Sequence, residues 1–289
     1  MKKVLITGAT GATGGNAIKR LLELKVPVRA LVHQLDERCE KLSSQGVELV
    51  VGDLSDFEAV SDALHGITAA YFVFPIKVPG VLEATALFAQ AALEQGVGAI
   101  VNMSQISARR AAKSHAAQHH WVAERLLDRT GIPVTHLRPT FFAEWLLYVS
   151  ESISKKNMFP LPFADARYAP IAAEDQGRVI AAILNDSADH AGKTYPLYGP
   201  KELTQHEVAD ILTQVLGRNI TYVPVEIEAF SEIWKDQGYS PYIRQHISAV
   251  AQDCRDGIFS GTNDLVEKLT GQKPMPMLDY IVKNQAHFC

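Results

Sequence analysis

The residues with the clearest chemical meaning stand near the start of the chain. Gly8-Ala9-Thr10-Gly11-Ala12-Thr13-Gly14-Gly15 follows an apolar run, Val4–Thr7, and leads into a stretch with apolar residues at 17, 18, 21 and 22. The order is strand, glycine turn, helix. Glycine has three uses in such a turn: it allows the tight bend, lets backbone N–H groups approach a pyrophosphate, and lets the helix pack close to the strand. The helix start adds unpaired N–H groups and the positive end of its dipole. Gly8, Thr10, Gly11, Ala12, Thr13 and Gly14 are therefore expected to hold a dinucleotide. An ordinary strand-to-helix turn would show similar glycines. The repeated βα units that follow favour the dinucleotide.

Other side chains extend this site. The second strand ends at His33, with Arg38 and Lys41 beyond it and Asp36 three residues on. A carboxylate at that strand end would hold a ribose 2′-hydroxyl, whereas a basic group would accept a 2′-phosphate. The balance favours NADP(H) over NAD(H), although Arg38 and Lys41 would equally suit a solvated helix face. Asp53 follows the third strand and would suit a helix N-cap. Phe74-Pro75, at the end of the fourth strand, falls where this kind of fold brings the chain near its cofactor. His120 and Glu124, four residues apart, share a helix face, and imidazole titrates near neutrality, so His120 is a candidate proton donor. It would read equally as a partly exposed helix residue, with Glu124 pairing with Arg125 or Lys113 or orienting the imidazole. His115 and His119 have a zinc-like spacing, but no HExxH motif and no nearby cysteine accompanies them, so no metal site is expected. Phe141, Phe163 and Tyr168 are candidate walls for a flat apolar substrate, and Phe142 and Trp145 read better as core.

The elements that must position these residues alternate. Short β-branched runs at 26–32, 48–51, 69–74, 99–103 and 134–138 are separated by helical patterns at 57–64, 81–93 and 111–129. Nearly continuous apolar strands of this kind are buried on both faces, which predicts a Rossmann-like, doubly wound parallel α/β sheet with helices on both sides. Residues 1–140 form the expected dinucleotide-binding core, and 141–289 a smaller α/β substrate lobe packed on it within one continuous domain. The segment FPLPFADARYAPIAAED reads as a loop over a cleft. Thr204 and Glu207 form an expected capping box opening a helix over 205–216 that stops at Gly217. From Glu226 onward the chain reads as helical but loosely patterned.

Composition narrows the classes. The 289 residues carry 28 Lys+Arg and 32 Asp+Glu, a net charge of −4, with no basic run, which argues against direct nucleic-acid binding. The three cysteines lie far apart, which fits a reducing compartment, and no long apolar run or signal-like segment is present, so a cytoplasmic protein without a membrane span is expected.

Taken together, ITGATGATGG, VRALVH, GVELVVGDLSD, His-x-x-x-Glu before GIPVTHLRPTFF, and LTQHEVADILTQVLGR resemble the NmrA-like group of atypical short-chain dehydrogenases, over about residues 2–225. Within it the chain resembles the bacterial reductases of quinones, triphenylmethane dyes and azo dyes. The resemblance implies that Asp53-Leu54 contacts the adenine. It also places His33 where those reductases carry an arginine against the 2′-phosphate, which weakens the NADP(H) reading. Ser104 falls at roughly the position of the catalytic serine of ordinary short-chain dehydrogenases, and would otherwise be a cap or loop hydroxyl. The Tyr-x-x-x-Lys dyad of ordinary short-chain dehydrogenases is replaced by His120 and Glu124. Two functions fit that absence: an NAD(P)H-dependent reductase of a small aromatic or quinone-like acceptor, or a non-catalytic redox sensor that binds the dinucleotide and regulates a protein partner. Either would suit a homodimer.

Overall fold

The computed structural model describes residues 2–289. Its strands and helices run β1 (Val4–Ile6), α1 (Ala12–Glu23), β2 (Val28–Val32), α2 (Glu37–Ser44), β3 (Glu48–Val51), α3 (Phe57–Leu64), β4 (Ala69–Phe72), α4 (Val81–Glu94), β5 (Ala99–Met103), α5 (His115–Asp128) and β6 (Val134–Pro139). A 3₁₀ segment, Ala143–Val149, leads to α6 (Ser150–Lys156), β7 (Met158–Leu161), α7 (Ala173–Asn185), β8 (Thr194–Leu197), α8 (Gln205–Leu216) and β9 (Thr221–Pro224). The tail forms α9 (Ile227–Asp236), α10 (Pro241–Arg255), α11 (Leu265–Thr270) and α12 (Met277–Lys283).

The main sheet has the order β3-β2-β1-β4-β5-β6-β8, with every neighbouring pair parallel. Side chains alternate across each strand, so both faces must be covered. Val4 and Ile6 join the core built with α1, α2 and α7, while Leu5 joins the core built with α3, α4 and α5. Helices α1 and α7 pack closely because Gly177 lacks a side chain: a Cβ there would stand 2.5 Å from Cβ of Asn16. With β8 at the sheet edge and α7 packed on its face, the sheet and its core take in residues beyond 140.

The expected loop FPLPFADARYAPIAAED is in part a strand, since β7 pairs in parallel with β9 in a separate two-stranded sheet. Its prolines hid it from the alternation pattern, yet an edge strand tolerates them. The capping box at Thr204 and Glu207 forms as expected, and Gly217 ends α8 in the left-handed conformation. Among the described residues no helix is long and apolar enough to cross a membrane.

Candidate functional site

The sheet order reverses between β1 and β4, and in such folds the ligand crevice opens beyond the carboxyl ends of the strands at that point. The glycine loop lies there. Gly8 has φ +59°, and a Cβ on it would stand 2.6 Å from Val73. A Cβ on Gly14 would collide with the Gly8 carbonyl. The loop is thus folded too tightly for a side chain at Gly8 or Gly14, with the Gly11 N–H donating to the Gly8 carbonyl at 2.9 Å. Helix α1 begins at Ala12 with no side-chain cap and no acidic residue in its first turn. Its first N–H groups and dipole end therefore stay uncompensated, a good fit to a pyrophosphate. Thr13 is fixed from below, its Oγ1 lying 3.0 Å from the buried Tyr71 hydroxyl.

Around the ends of β2 and β3, where the sequence places the adenosine, the polar side chains pair with one another. His33 Nδ1 lies 3.0 Å from Asp53, and Arg38 donates through Nε and a terminal nitrogen to Asp36. Asp36 also caps α2, and the hydrogen bond from Arg38 holds its carboxyl at about 2. Asp53 does not cap α3. Asp56 does, while Asp53 accepts from the backbone N and Oγ of Ser55, which holds its carboxyl below the usual range. Leu54 packs on the α3 side of the core and Phe74 is half-buried beside it.

Beyond β5 the charged groups form a knot. Glu124 is 1% exposed and accepts from Ser104 Oγ at 2.7 Å and from Arg138 Nε at 2.8 Å, with Arg125 on its other oxygen. Burial pushes its carboxyl up, but the hydrogen bonds from Arg138 and Ser104 outweigh burial and hold it below the ordinary value. Glu124, in the lysine position of the ordinary dyad, is thus an ionised tie between α5 and the ends of β5 and β6. Arg125 is one partner the sequence suggested, and Arg138 and Ser104 are the ones it missed. Ser104 spends its hydroxyl hydrogen on that tie. Removing the charge by Glu124→Gln should destabilise the fold by about 3 kcal/mol, since Arg138 is then left part-buried and unpaired. Urea denaturation of the variant beside the parent measures it, and an unchanged midpoint would remove the knot from the account.

His120 is not the partly exposed residue the sequence allowed. It is 5% exposed, and burial, reinforced by the charge of His119 and opposed by Glu124, lowers its pKa to about 4. Its Nδ1 has no hydrogen-bond partner. The imidazole is therefore neutral near pH 7. His115 and His119 belong to no group of three or more potential metal ligands among the described residues.

Ser104 and His120 line a cleft of about 340 Å³ that starts at Ala12 and Thr13 and runs under the C-terminal lobe. Its walls are aromatic. Phe141 stacks on Phe259 with ring centroids 4.4 Å apart, and Trp145 and Tyr148 lie 4.9 Å apart. Phe142 and Trp145, read as core from the sequence, are only half-buried and face this cleft. Phe163 and Tyr168 stand behind Phe141 at 4.9 and 5.2 Å, in an adjoining apolar pocket, so of the three expected substrate residues only Phe141 reaches the main cleft. Tyr168 accepts from Gln205 at 2.6 Å, and burial raises its pKa. Sequence reasoning missed Glu144, Tyr148, His246 and Phe259. Glu144 takes the Ala173 N–H at the start of α7, yet burial holds its carboxyl above the usual range. For His246 a signal existed in the 3.6-residue spacing of Ile243, His246, Ile247, Val250 and Cys254.

The NmrA-like family profile matches residues 1–279. The chain belongs to the NmrA-like family. Its NmrA-like relatives include the NAD(P)H azoreductase of Xenophilus azovorans, 27% identical over 287 residues and covering 99% of each chain. The NADPH-dependent quinone oxidoreductase of Escherichia coli, solved with NADPH, superposes with a TM-score of 0.88 at 24% identity, covering 98% of this chain and 99% of that one. The triphenylmethane reductase of a Citrobacter species, solved with NADP(H), superposes with a TM-score of 0.85 at 25% identity, covering 97% and 99%. Within this NmrA-like frame the tight glycine cradle and the uncapped start of α1 are the features that fit a dinucleotide.

Proposed function

We propose that this protein is an NAD(P)H-dependent reductase that passes hydride to a quinone-like or dye-like aromatic acceptor. The observation that carries the reading is the continuity of the aromatic cleft with the open start of α1. A planar ring held between Phe141, Trp145 and Tyr148 would lie beside a nicotinamide whose pyrophosphate rests on Gly8–Thr13. The relatives point the same way, being reductases of azo compounds, quinones and triphenylmethane dyes.

The reduced nicotinamide supplies the hydride when bound. The protein's own part is to position and to exclude water. Gly8, Thr10, Gly11, Ala12, Thr13 and Gly14 would hold the pyrophosphate, Asp53 and Leu54 the adenine, and Phe74 and Pro75 the nicotinamide side. His120 and Ser104 have little acid to offer. One is a neutral imidazole near pH 7, and the other has its hydroxyl hydrogen on Glu124. An acceptor whose incoming charge is delocalised or cancelled suits such a site better than a simple ketone, which needs a proton for its alkoxide. His120→Ala should then lower kcat by less than about 100-fold, below the usual range for loss of a general acid. A larger loss at unchanged dinucleotide affinity would restore His120 as the donor.

The test of the reading is a panel of quinones, azo dyes, triphenylmethane dyes and simple ketones with NADH and NADPH, followed at the nicotinamide absorbance band. Turnover of the aromatic acceptors and not of ketones is expected. Binding of the dinucleotide with no turnover of any acceptor would leave the sensor reading, which requires a partner protein whose affinity differs between the oxidised and reduced forms.

We also propose that NADPH binds at least as well as NADH, on the strength of the basic set His33, Arg38 and Lys41 beside a strand end that carries no carboxylate. His33 and Arg38 already have carboxylate partners, so a 2′-phosphate must compete with Asp53 and Asp36. Arg38→Ala should weaken NADPH about tenfold and leave NADH unchanged, as calorimetric titration can measure. Equal losses for the two would remove Arg38 from phosphate recognition.

A further inference from the structure

The reductase reading leaves one cleft residue without a role. His246 sits mid-way along α10, which is clamped on both sides of it. Arg109 donates twice to Asp253 at 2.7 and 2.5 Å. Gln245 donates from Nε2 to the Lys113 carbonyl at 2.8 Å and accepts from the His115 N–H at 3.1 Å. These bonds fix the ring against the start of α5, where Ser114 is fully buried and its Oγ accepts the Ala117 N–H at 3.0 Å. The Ser114 hydroxyl hydrogen needs an acceptor of its own, and His246 Nδ1 lies 2.7 Å away. With Nδ1 accepting, the proton of the neutral ring resides on Nε2. That atom makes no hydrogen bond to the described residues and is not among the fully buried polar atoms, so it is open to the cleft that the residue lines. His120, Gln105 and Thr140 border the same cleft with buried polar atoms that also lack partners. Those atoms are sealed within the wall, whereas Nε2 of His246 is a fixed donor open to an aromatic-walled space, which suits a flat ligand carrying an acceptor atom.

We infer that His246 is a substrate-binding residue, whose Nε2–H donates to the carbonyl oxygen of a quinone-type acceptor and so selects such acceptors over aromatic cations that have no oxygen. The inference rests on the reductase reading. Negative charge grows on that oxygen as hydride arrives, and a fixed neutral donor stabilises it without supplying a proton. The reaction balances as quinone plus hydride from the dinucleotide plus one solvent proton giving hydroquinone, with His246 unchanged. Ser114 acts through His246 as a positioning residue, since its hydroxyl sets the tautomer.

The experiment compares His246→Leu with His246→Gln, whose side-chain amide can restore a donor near the Nε2 position. Two readouts are used: kcat/KM for benzoquinone and for crystal violet, each with NADPH, and the Kd of hydroquinone without dinucleotide, measured by calorimetric titration. The leucine variant should lose about tenfold or more on benzoquinone and weaken hydroquinone about tenfold, while crystal violet stays within about twofold. The glutamine variant should recover most of the loss. If the leucine variant does not fold, His246→Asn takes its place: it keeps an acceptor for Ser114 but is too short to bring its amide to the cleft. Equal losses on both acceptors, or no loss on benzoquinone, would overturn the inference and leave the reductase reading standing. Reduction of the dye alone by the parent protein would do the same. No turnover of either acceptor by the parent would overturn both.

Discussion

Gly11→Val should abolish dinucleotide binding in a protein that still folds. The substitution is chosen by geometry. Gly11 has φ −84° and ψ 172°, an extended conformation open to any residue, and it is exposed. A Cβ there would stand 3.1 Å from the Gly8 carbonyl, a tight contact that the loop can relieve by a small shift. At Gly14 the same addition would drive into the Gly8 backbone, so that variant would confound binding with folding. The branched side chain at Gly11 instead projects beside the N–H groups that begin α1, where the pyrophosphate is proposed to lie. For the parent, a dinucleotide at about 100 times its Kd should stabilise the fold by about 2.7 kcal/mol, which raises Tm by several degrees. The valine variant should show no shift with NADH or NADPH. Gly15→Ala, whose new Cβ would make only an ordinary 3.5 Å contact with Ala9, should keep the shift. A shift retained in the valine variant, or absent from the parent with both dinucleotides, would overturn the cradle.

The glycine loop could be read from the sequence because its information is local: strand, turn and helix are consecutive, and the glycines are needed for short-range reasons. The same holds for β3, α3, β5 and α8, whose limits follow from β-branched runs, helical spacing and the capping box. The cleft is different. Its residues come from the ends of β4, β5 and β6, from the 3₁₀ segment and from α10, so its contents depend on which elements the fold brings together. His120 illustrates this. Its helix was foreseen, but its burial depends on α10, more than a hundred residues later. Glu124 likewise looked like half of a surface pair until β6 brought Arg138 against it. Trp145 was assigned to the core on aromatic character alone, and only tertiary placement separates a buried wall from a cleft wall. The β7–β9 pairing joins segments some sixty residues apart through a strand containing proline, and no local pattern announces it.

The buried histidine pair should make the fold lose stability on acidification from about pH 6.5, above the range where carboxylates titrate. Burial lowers His120 to about 4 and His246 to about 3, and for His246 the nearby His120 deepens the shift. Both fall from an ordinary value of 6.5, so in the window between 6.5 and about 4 the unfolded chain binds protons that the folded protein does not. Stability therefore falls as pH drops through 6.5, and the loss should reach roughly 5 kcal/mol between pH 7.5 and 4.5 if the two sites act together. Glu144 and Asp175 work in the opposite direction. Burial raises both, so the folded state takes up their protons first and gains stability on acidification. The net slope of the parent mixes these effects, and the histidine share must be isolated. The double variant His120→Asn, His246→Gln keeps polar side chains in the cleft but cannot titrate. Urea unfolding at pH 7.5, 6.0 and 5.0 should show its slope to be shallower than the parent's by up to about 2.7 kcal/mol per pH unit, which is two protons at 1.36 each. An unchanged slope would mean that water reaches both rings and that they protonate in place. His246 would then meet an acceptor as a cation below neutrality, and its preference for a carbonyl oxygen would sharpen as the pH falls instead of staying level.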